Sequence, residues 1–550
     1  MTGVELVDEQ RALDEARAAA AAKLVELRSK KIVAADALSE EYMQAVIAGA
    51  VEKLQNELTV FGRIDDDATW RVGLYGVEQR GNQLVIDWRA PFAQGFYQAT
   101  FDEPLGLARR VSYVGSIDEL FVEDFGTSQV SGSSPLMAEL DRGRGETMKT
   151  AVATLQSEQD DLVRRSADDV MVLRGGPGTG KTVVGLHRAA WLVYNDRRVL
   201  SSDILILGPS DRYLRYVASV LPTLGETRIK QTTLERLIGP TSEVGSAIDW
   251  PQVLDDFEAS LYAPQSVKIR YKQIDEADVA AVLDRVKTSA LPWRDKRKGV
   301  EASMMRATGF TAAEVRAAVA TVMPACSAAQ AAKKLRGVAT LRSLGLDEDT
   351  ITRWRAVDHD DGPLLDELNA RFNSSPVRYS HVVVDEAQDL TEMQLRAVRR
   401  RATGLTLVGD DAQTSVSGAV GLTSIAVRLG VEPDILATAY RMSAEIADWL
   451  NEHAKATKLP AVELVGIRPT GVPVVVVTPD SRDTHLHRLE DKWSNTRLLS
   501  QGDVWAHKGI EYDAVVVDTA GMDTAEVYLA ASRAAHELVI VASSLGETVS

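Results

Sequence analysis

The segment Gly175-Gly176-Pro177-Gly178-Thr179-Gly180-Lys181-Thr182 constrains this chain more than any other. An apolar run from Val170 to Leu173 precedes it and an apolar-rich stretch from Val183 to Tyr194 follows, which predicts strand, glycine loop and helix in that order. A phosphate-binding loop needs that order. Glycines let backbone N–H groups turn inward on phosphates, at a helix N-terminus whose partial positive charge favours them. Lys181 is placed to reach the terminal phosphates of a nucleoside triphosphate, and the Thr182 hydroxyl to hold Mg²⁺. A glycine-rich turn in an ordinary α/β sheet is the alternative. The complete GxxxxGKT pattern in this context favours nucleotide binding, with ATP and Mg²⁺ as the expected cofactors.

At 550 residues the chain is too long for one core, and about three or four domains are expected. Its one cysteine, Cys326, leaves no intramolecular disulfide and fits a reducing compartment. The N-terminus (MTGVELVDEQ) lacks the basic and apolar regions of a secretory signal. No uncharged apolar run approaches the roughly 18 residues needed to cross a bilayer. A cytoplasmic protein with no membrane partner is expected. The formal net charge of -17 matters for partners, because grip on nucleic acid comes mainly from Lys and Arg neutralising phosphates.

Residues 4–31 carry Leu13, Ala16, Ala20, Leu24 and Leu27 at helical spacing, and Met43, Ile47, Ala50, Leu54 and Leu58 form a second stripe. With the turn SKKIVAADALS between them, an antiparallel helical hairpin is expected, either projecting or packed on the body. From Trp70 to Phe101 the pattern alternates (Val72, Leu74, then Leu84, Ile86, Trp88), with Arg80-Gly81-Asn82 as a hairpin turn. Residues 129–135 are expected to be a linker. The runs 203–208 and 381–384 suit buried parallel strands, separated by a helix-rich insert at 232–378. Later runs at 474–477 and 514–517 predict strands of a second α/β unit.

Val384-Asp385-Glu386-Ala387-Gln388-Asp389 ends the second of those buried strands with adjacent carboxylates. Asp385 is the candidate second Mg²⁺ ligand, and Glu386 the candidate base that orients and deprotonates the attacking water. Further short motifs follow in order around this pair. They are Gln159 in LQSEQ, Gln413 in LVGDDAQ, Tyr440-Arg441, Lys508-Gly509-Ile510-Glu511-Tyr512-Asp513 and Ser532-Arg533. The ordered set resembles the motor core of superfamily-one helicases of the UvrD/Rep type, across roughly residues 150–230 and 380–545. The resemblance implies that Gln159 reads the adenine edge while Tyr440 stacks on the ring. It makes Gln413 a γ-phosphate sensor and Glu511 a ribose contact. Arg441 and Arg533 become arginine fingers, matching the charge of a phosphoryl-transfer transition state.

Three departures argue against processive unwinding. The residues after Gln413, Thr414-Ser415-Val416-Ser417-Gly418, include no aromatic, where base stacking is worth about 1–3 kcal/mol per base. The stretch from Arg441 to Lys508 is too short for the large inserted domain of unwinding enzymes. The chain is also acidic.

Other segments carry a closer resemblance: 60–65 (VFGRID), 86–91 (IDWRAP), 96–100 (FYQAT), 208–210 (GPS), 220–226 (VLPTLGE) and 363–367 (PLLDE). Together they resemble the HelD-type helicase-like factors of Gram-positive bacteria, which bind RNA polymerase. The resemblance implies an α/β fold with two RecA-like P-loop domains. They would occupy 141–231 with 379–432, and 433–550. Around them it implies a helical hairpin at 1–62, a β-rich unit at 63–140 and a family-specific insert at 232–378. The implied partner is the bacterial RNA polymerase core, entered by hairpin and insert, with nucleic acid contacted weakly or indirectly and a monomeric factor. Some relatives, of the HelR type, also displace rifamycins. Acidic hairpin tips occur in some relatives, whereas here the tip region reads Arg28-Ser29-Lys30-Lys31, so direct metal capture in the polymerase is not expected. Alternative readings are a superfamily-one DNA helicase or translocase in repair, and a nucleotide-gated binding protein with a vestigial ATPase. The basic run Arg294, Lys296, Arg297, Lys298 is a candidate nucleic-acid contact, or else a solvated loop.

Overall fold

The computed structural model describes residues 3–29, 60–114, 119–132, 134–136, 155–218, 220–224, 226, 228–357 and 361–542. The second stripe of the expected hairpin and the turn before it lie outside these residues. The first arm is a helix, Gly3–Ser29. Its Leu13, Ala16 and Ala20 pack against Val60, Val77, Val85 and Val111 of a β unit. Glu9 pins the helix there. Its carboxylate accepts Arg71 Nε at 2.8 Å, Arg63 Nη1 at 3.1 Å and the Tyr113 hydroxyl at 2.5 Å. Burial pushes the Glu9 carboxyl up, but the two arginines and the tyrosine outweigh it and hold it below its ordinary range.

The β unit is a seven-stranded sheet of β1 (Val60–Asp65), β2 (Thr69–Gly73), β3 (Val77–Gln79), β4 (Asn82–Asp87), β5 (Arg109–Tyr113), β6 (Leu120–Asp124) and β7 (Gln129–Ser131). The order is β3-β4-β2-β1-β5-β6-β7. Arg80 and Gly81 both take positive φ (52° and 84°), the two-residue turn geometry that matches strand twist. The hairpin they close joins β3 to β4, whereas β2, which carries Val72, pairs parallel to β4. Residues 129–131, expected in a linker, instead form an edge strand antiparallel to β6.

Six parallel strands form the central sheet: β8 (Val170–Gly175), β9 (Ile204–Gly208), β10 (Lys230–Thr233), β13 (Tyr379–Val384), β14 (Ala402–Gly409) and β15 (Asp434–Leu436). The order is β10-β9-β13-β14-β8-β15, and every pair in it is parallel. Near-continuous Val, Ile and Leu suit strands covered on both faces. The β unit is not a separate bead on this sheet. Phe61, Ile64, Trp88 and Phe96 share one core with Leu162, Met171, Leu173 and Val184. The IDWRAP motif explains part of that junction: buried Arg89 is held by Asp87 at 2.9 Å and by Glu226 at 3.1 Å.

Between β10 and β13 the chain leaves the sheet as a largely helical insert with one hairpin, β11 (Val267–Ile269) and β12 (Lys272–Ile274). Its core gathers Trp250, Phe257, Trp293, Trp354 and Phe372. The PLLDE motif fastens it. Glu367 accepts hydrogen bonds from Arg371, Arg396 and Arg400, and Asp366 from Arg400 and Arg401. Part of the basic run is committed to the fold: Lys296 is buried on Glu258 at 2.7 Å, and Arg297 Nε donates to the Met323 carbonyl at 2.8 Å.

A short parallel pair, β16 (Thr438–Ala439) with β17 (Val465–Gly466), leads into a second sheet. That sheet comprises β18 (Val475–Val477), β19 (Thr496–Leu499), β20 (Tyr512–Asp518) and β21 (Ala534–Val541), all parallel, in the order β18-β21-β20-β19.

Candidate active site

The glycine loop leaves β8 and enters the helix Lys181–Asn195. Gly178 and Gly180 take φ of 73° and 83°, a region that L side chains rarely adopt. Space also demands glycine, since a Cβ on Gly180 would lie 2.4 Å from Gln159 Nε2. Thr179 Oγ1 donates to the Gly176 carbonyl at 2.8 Å, closing the loop on itself, and Lys181 Nζ donates to the same carbonyl at 2.8 Å.

Strand β13 delivers the two carboxylates to the first turn of that helix. Thr182 Oγ1 donates to Asp385 Oδ2 at 2.6 Å, so the two expected metal ligands are adjacent. These are hard oxygen donors, as Mg²⁺ requires, and they face the loop that would hold phosphates. Burial and the neighbouring Glu386 charge push the Asp385 carboxyl up, against hydrogen bonds from Thr182 and Tyr213 and the pull of Lys181. Glu386 has φ of 54°, a left-handed backbone that costs a residue with a Cβ free energy and marks a functional candidate. Its side chain accepts Gln388 Nε2 at 2.7 Å, while Gln388 Oε1 accepts the Asp410 N–H at 3.1 Å. Burial pushes the Glu386 carboxyl up, but Lys508, Lys181, Gln388 and Arg533 prevail and hold it below its ordinary range.

Residues of the second sheet complete the cleft. Arg533, in the turn between the helix Thr524–Ala531 and β21, donates Nη2 to Gln413 Oε1 at 2.9 Å. Gln413 Nε2 in turn donates to Asp410 Oδ2 at 2.8 Å. Arg441 Nη1 donates to Glu511 Oε2 at 3.2 Å. Pro177, Gly178, Gly180, Lys181, Thr182, Glu386, Gln413, Arg441, Glu511 and Arg533 thus line one cavity of about 60 Å³. Gln159 and Tyr440 stand outside its lining and flank the loop. Gln159 Nε2 donates to the Thr179 carbonyl at 3.0 Å, the Tyr440 backbone N–H donates to the Gly178 carbonyl at 3.1 Å, and the Tyr440 hydroxyl donates to Glu158.

Sequence reasoning missed several neighbours. Lys508 was visible only as part of a motif without a role. It is buried, and its Nζ donates to Asp389 Oδ2 and the Gln413 carbonyl, both at 2.6 Å, and lies 3.5 Å from Glu386 Oε2. Tyr213 reaches Asp385 from the helix Asp211–Val217. Its signal was weak: one aromatic three residues after Ser210, just beyond a buried strand.

A second, larger space of about 1040 Å³ opens beside the cleft, at the ends of β9, β10 and β13. Asp211, Glu235, Glu243, Asp385, Glu386 and Asp389 line it, against Arg236 alone among its cations. Arg236 is itself paired with Asp211 at 2.7 Å. Ser415, Val416 and Ser417 lie along this groove, and no aromatic does among the described residues.

A phosphate loop, a carboxylate pair at the end of a parallel strand and cations from a second parallel sheet define a helicase-like nucleotide-binding protein. Residues 5–121 match the family model described as DNA helicase IV HelD, N-terminal domain, and residues 302–419 match an AAA domain. The two matched segments support a likeness to HelD-type helicase-like proteins. The AAA match spans Asp385, Glu386 and Gln413 and begins well after the glycine loop. It implies nucleotide binding and supports nucleotide hydrolysis. No curated protein matches the chain. Among solved structures, the Arterivirus nonstructural protein 10 helicase with DNA is 12% identical, covering 78% of this chain and 72% of that chain at a TM-score of 0.30. The same viral helicase in a second crystal structure is 13% identical, with coverage of 79% and 74% and a TM-score of 0.28. The PRRSV helicase is 14% identical over 38% and 44%, with a TM-score of 0.23. At such TM-scores these likenesses carry no weight. No described helix is long and apolar enough to cross a membrane.

Proposed function

We propose that the chain is an ATP-hydrolysing, helicase-like factor that binds the core of bacterial RNA polymerase and removes nucleic acid from stalled or inactive complexes. The observation that carries the ATPase part is the convergence of Lys181, Thr182, Asp385 and Glu386 with Arg441, Glu511 and Arg533 in one cleft between two parallel sheets. The two sheets serve as RecA-like bodies, 141–231 with 379–432 and 433–550. The loop N–H groups and Lys181 hold the phosphates. Mg²⁺, when bound to Thr182 and Asp385, supplies charge neutralisation at the phosphates. Glu386 orients the attacking water and takes its proton. Arg441 and Arg533 stabilise the transferring phosphoryl group, and Gln413 links Arg533 to the γ-phosphate position. Gln159 and Tyr440, beside the loop, hold the base, and Glu511 the ribose. A cavity of about 60 Å³ is far below the roughly 300 Å³ at which ligand sites begin. Nucleotide binding therefore moves Lys181 off the Gly176 carbonyl and parts Arg441 from Glu511.

The polymerase part rests on the match of residues 5–121 to the HelD N-terminal domain and on the poor fit of the acidic groove to a nucleic-acid backbone. The N-terminal helices would enter the secondary channel and the insert 232–378 the primary channel, with rifamycin displacement as a further activity of the same contacts. The test is a fluorescent nucleic-acid scaffold loaded on purified polymerase core and mixed with the full chain. ATP-dependent release by the native chain and none by Glu386→Gln are expected. Failure to bind the core at all would sink the polymerase reading. The matched family description names a DNA helicase, which favours a second reading as a superfamily-one helicase in repair. Robust displacement of a tailed duplex at low salt, lost in Lys181→Ala, would establish that reading instead.

A further inference from the structure

We propose that Tyr213 is a positioning residue of the nucleotide site, fixing the Asp385 carboxylate for the divalent cation. The inference rests on the nucleotide-binding reading above and adds a residue to it. Tyr213 sits in the first turn of the helix Asp211–Val217, where its N–H donates to the capping Ser210 Oγ at 3.2 Å. Its side chain is 2% exposed. The ring is wedged on two sides. A Cβ on Gly208, at the end of β9, would come within 2.7 Å of Tyr213 Cδ1, and one on Gly509, from the second sheet's side of the cleft, within 3.0 Å of Cδ2. The ring thus lies against the backbone at Gly208 and Gly509.

That hydroxyl donates to Asp385 Oδ2, the same oxygen that accepts Thr182 Oγ1, while Oδ1 accepts the Glu386 N–H at 2.9 Å. A carboxylate offers about four acceptor directions, so one remains, on Oδ1. Thr182 is itself a metal ligand, and its hydroxyl must turn towards the cation when the site fills. Tyr213 has no such second duty. It then provides the side-chain hydrogen bond that keeps Oδ2 in place, so that the carboxylate holds its orientation with one direction on Oδ1 open. Partners behind metal ligands act in this way, and their loss typically costs about 10–100-fold in metal affinity.

The test uses the full chain and a fluorescent ADP, comparing affinity with Mg²⁺ and with EDTA. Tyr213→Phe keeps the wedged ring and removes only the hydroxyl. Its dissociation constant is expected to rise about tenfold with Mg²⁺ and to change less than about twofold in EDTA. In an Asp385→Asn background the same substitution is expected to add no further loss, as a double-mutant cycle requires of one shared interaction. Equal losses with Mg²⁺ and EDTA would make Tyr213 a packing residue only and overturn the proposal. An unchanged or tighter affinity with Mg²⁺ overturns it too. If the native chain binds nucleotide no better with Mg²⁺ than in EDTA, the cation site fails along with this proposal. Normal Mg²⁺ dependence in the native chain with an unaffected variant sinks the role of Tyr213 alone.

Discussion

The cleft and the groove lie side by side at the ends of the same strands, yet they present opposite chemistry to an anion. Lys181, Arg441, Arg533 and Lys508 reach the cleft, engaged there by the Gly176 carbonyl, Glu511, Gln413 and Asp389 in turn. Six carboxylates line the groove, of which Asp385 and Glu386 also serve the cleft and Asp389 holds Lys508, against one guanidinium, Arg236 on Asp211. A superfamily-one motor that walks on nucleic acid needs both spaces to accept phosphates. Here four cations gather at the cleft, while the lining of the neighbouring space carries one. The contrast sets a cation-rich and a carboxylate-rich space side by side within one fold.

The comparison breaks most readily at the cleft. Lys181→Ala is expected to abolish steady-state ATP turnover. Glu386→Gln should lower it by about 10²–10⁴-fold while leaving nucleotide affinity near normal, because one residue holds phosphates and the other accepts a proton. Near-normal turnover in Glu386→Gln would remove it as the base. Arg533→Ala comes next, with an expected loss of about 10²–10³-fold in kcat, since its guanidinium already sits on Gln413 beside the phosphate site. A small change in kcat would leave Arg533 as a tether for Gln413 only.

The groove gives smaller effects. Native protein should bind single-stranded DNA weakly, with ATPase little changed by it. The double substitution Asp211→Lys, Glu235→Lys should raise DNA affinity at low salt by about tenfold and steepen its salt dependence, as added cations release counterions. No gain in a filter-binding titration would mean that charge is not what keeps nucleic acid out. The far wall of the groove offers the last test. Gln394 lines the groove and donates to Thr241 at 3.0 Å, on the same helix whose Arg396 and Arg400 grip Glu367. Burial pushes the Glu367 carboxyl up, but Arg400, Arg396 and Arg371 pull it to about 2, against an ordinary 4.5. A depressed carboxyl contributes stability above its unfolded pKa and loses it as pH falls through the folded one. That contribution should therefore disappear between pH 4.5 and 2. Glu367→Gln should cost on the order of 3 kcal/mol at neutral pH and flatten the thermal midpoint over that acid range, with the cleft's nucleotide affinity intact.

Much of the cleft was legible because its residues lie in short motifs whose spacing has a mechanical reason. Gly178 and Gly180 are required by backbone sign, Thr182 by its place in the first helical turn, and Asp385 by the end of a buried strand. Tyr213, Gln388 and Lys508 were not legible as partners, since each acts through a contact that only the tertiary fold brings about. The expected linker failed for a related reason. A polar Ser/Gly-rich sequence is compatible with an edge strand, where half of the backbone faces away from the sheet. The basic run shows the same limit in reverse. Charges that suggest a nucleic-acid contact turn out in part to be internal fasteners, with Lys296 held by Glu258 in the insert.

The core shared by the β unit and the six-stranded sheet has a mechanical consequence. With Trp88, Phe96 and Tyr97 embedded in the same apolar mass as Leu173 and Val184, and the insert riveted by Asp366 and Glu367, these parts deform together as one stiff chassis. The boundary with the second sheet carries polar contacts, Lys508 on Asp389, Arg533 on Gln413 and the Tyr440 hydroxyl on Glu158, beside apolar ones from Ala412 and Leu464. A nucleotide that took over those polar partners would act on that joint. A displacement begun at the phosphates would reach the N-terminal helix pinned by Glu9 as a rigid swing of the whole chassis, with little lost to bending on the way.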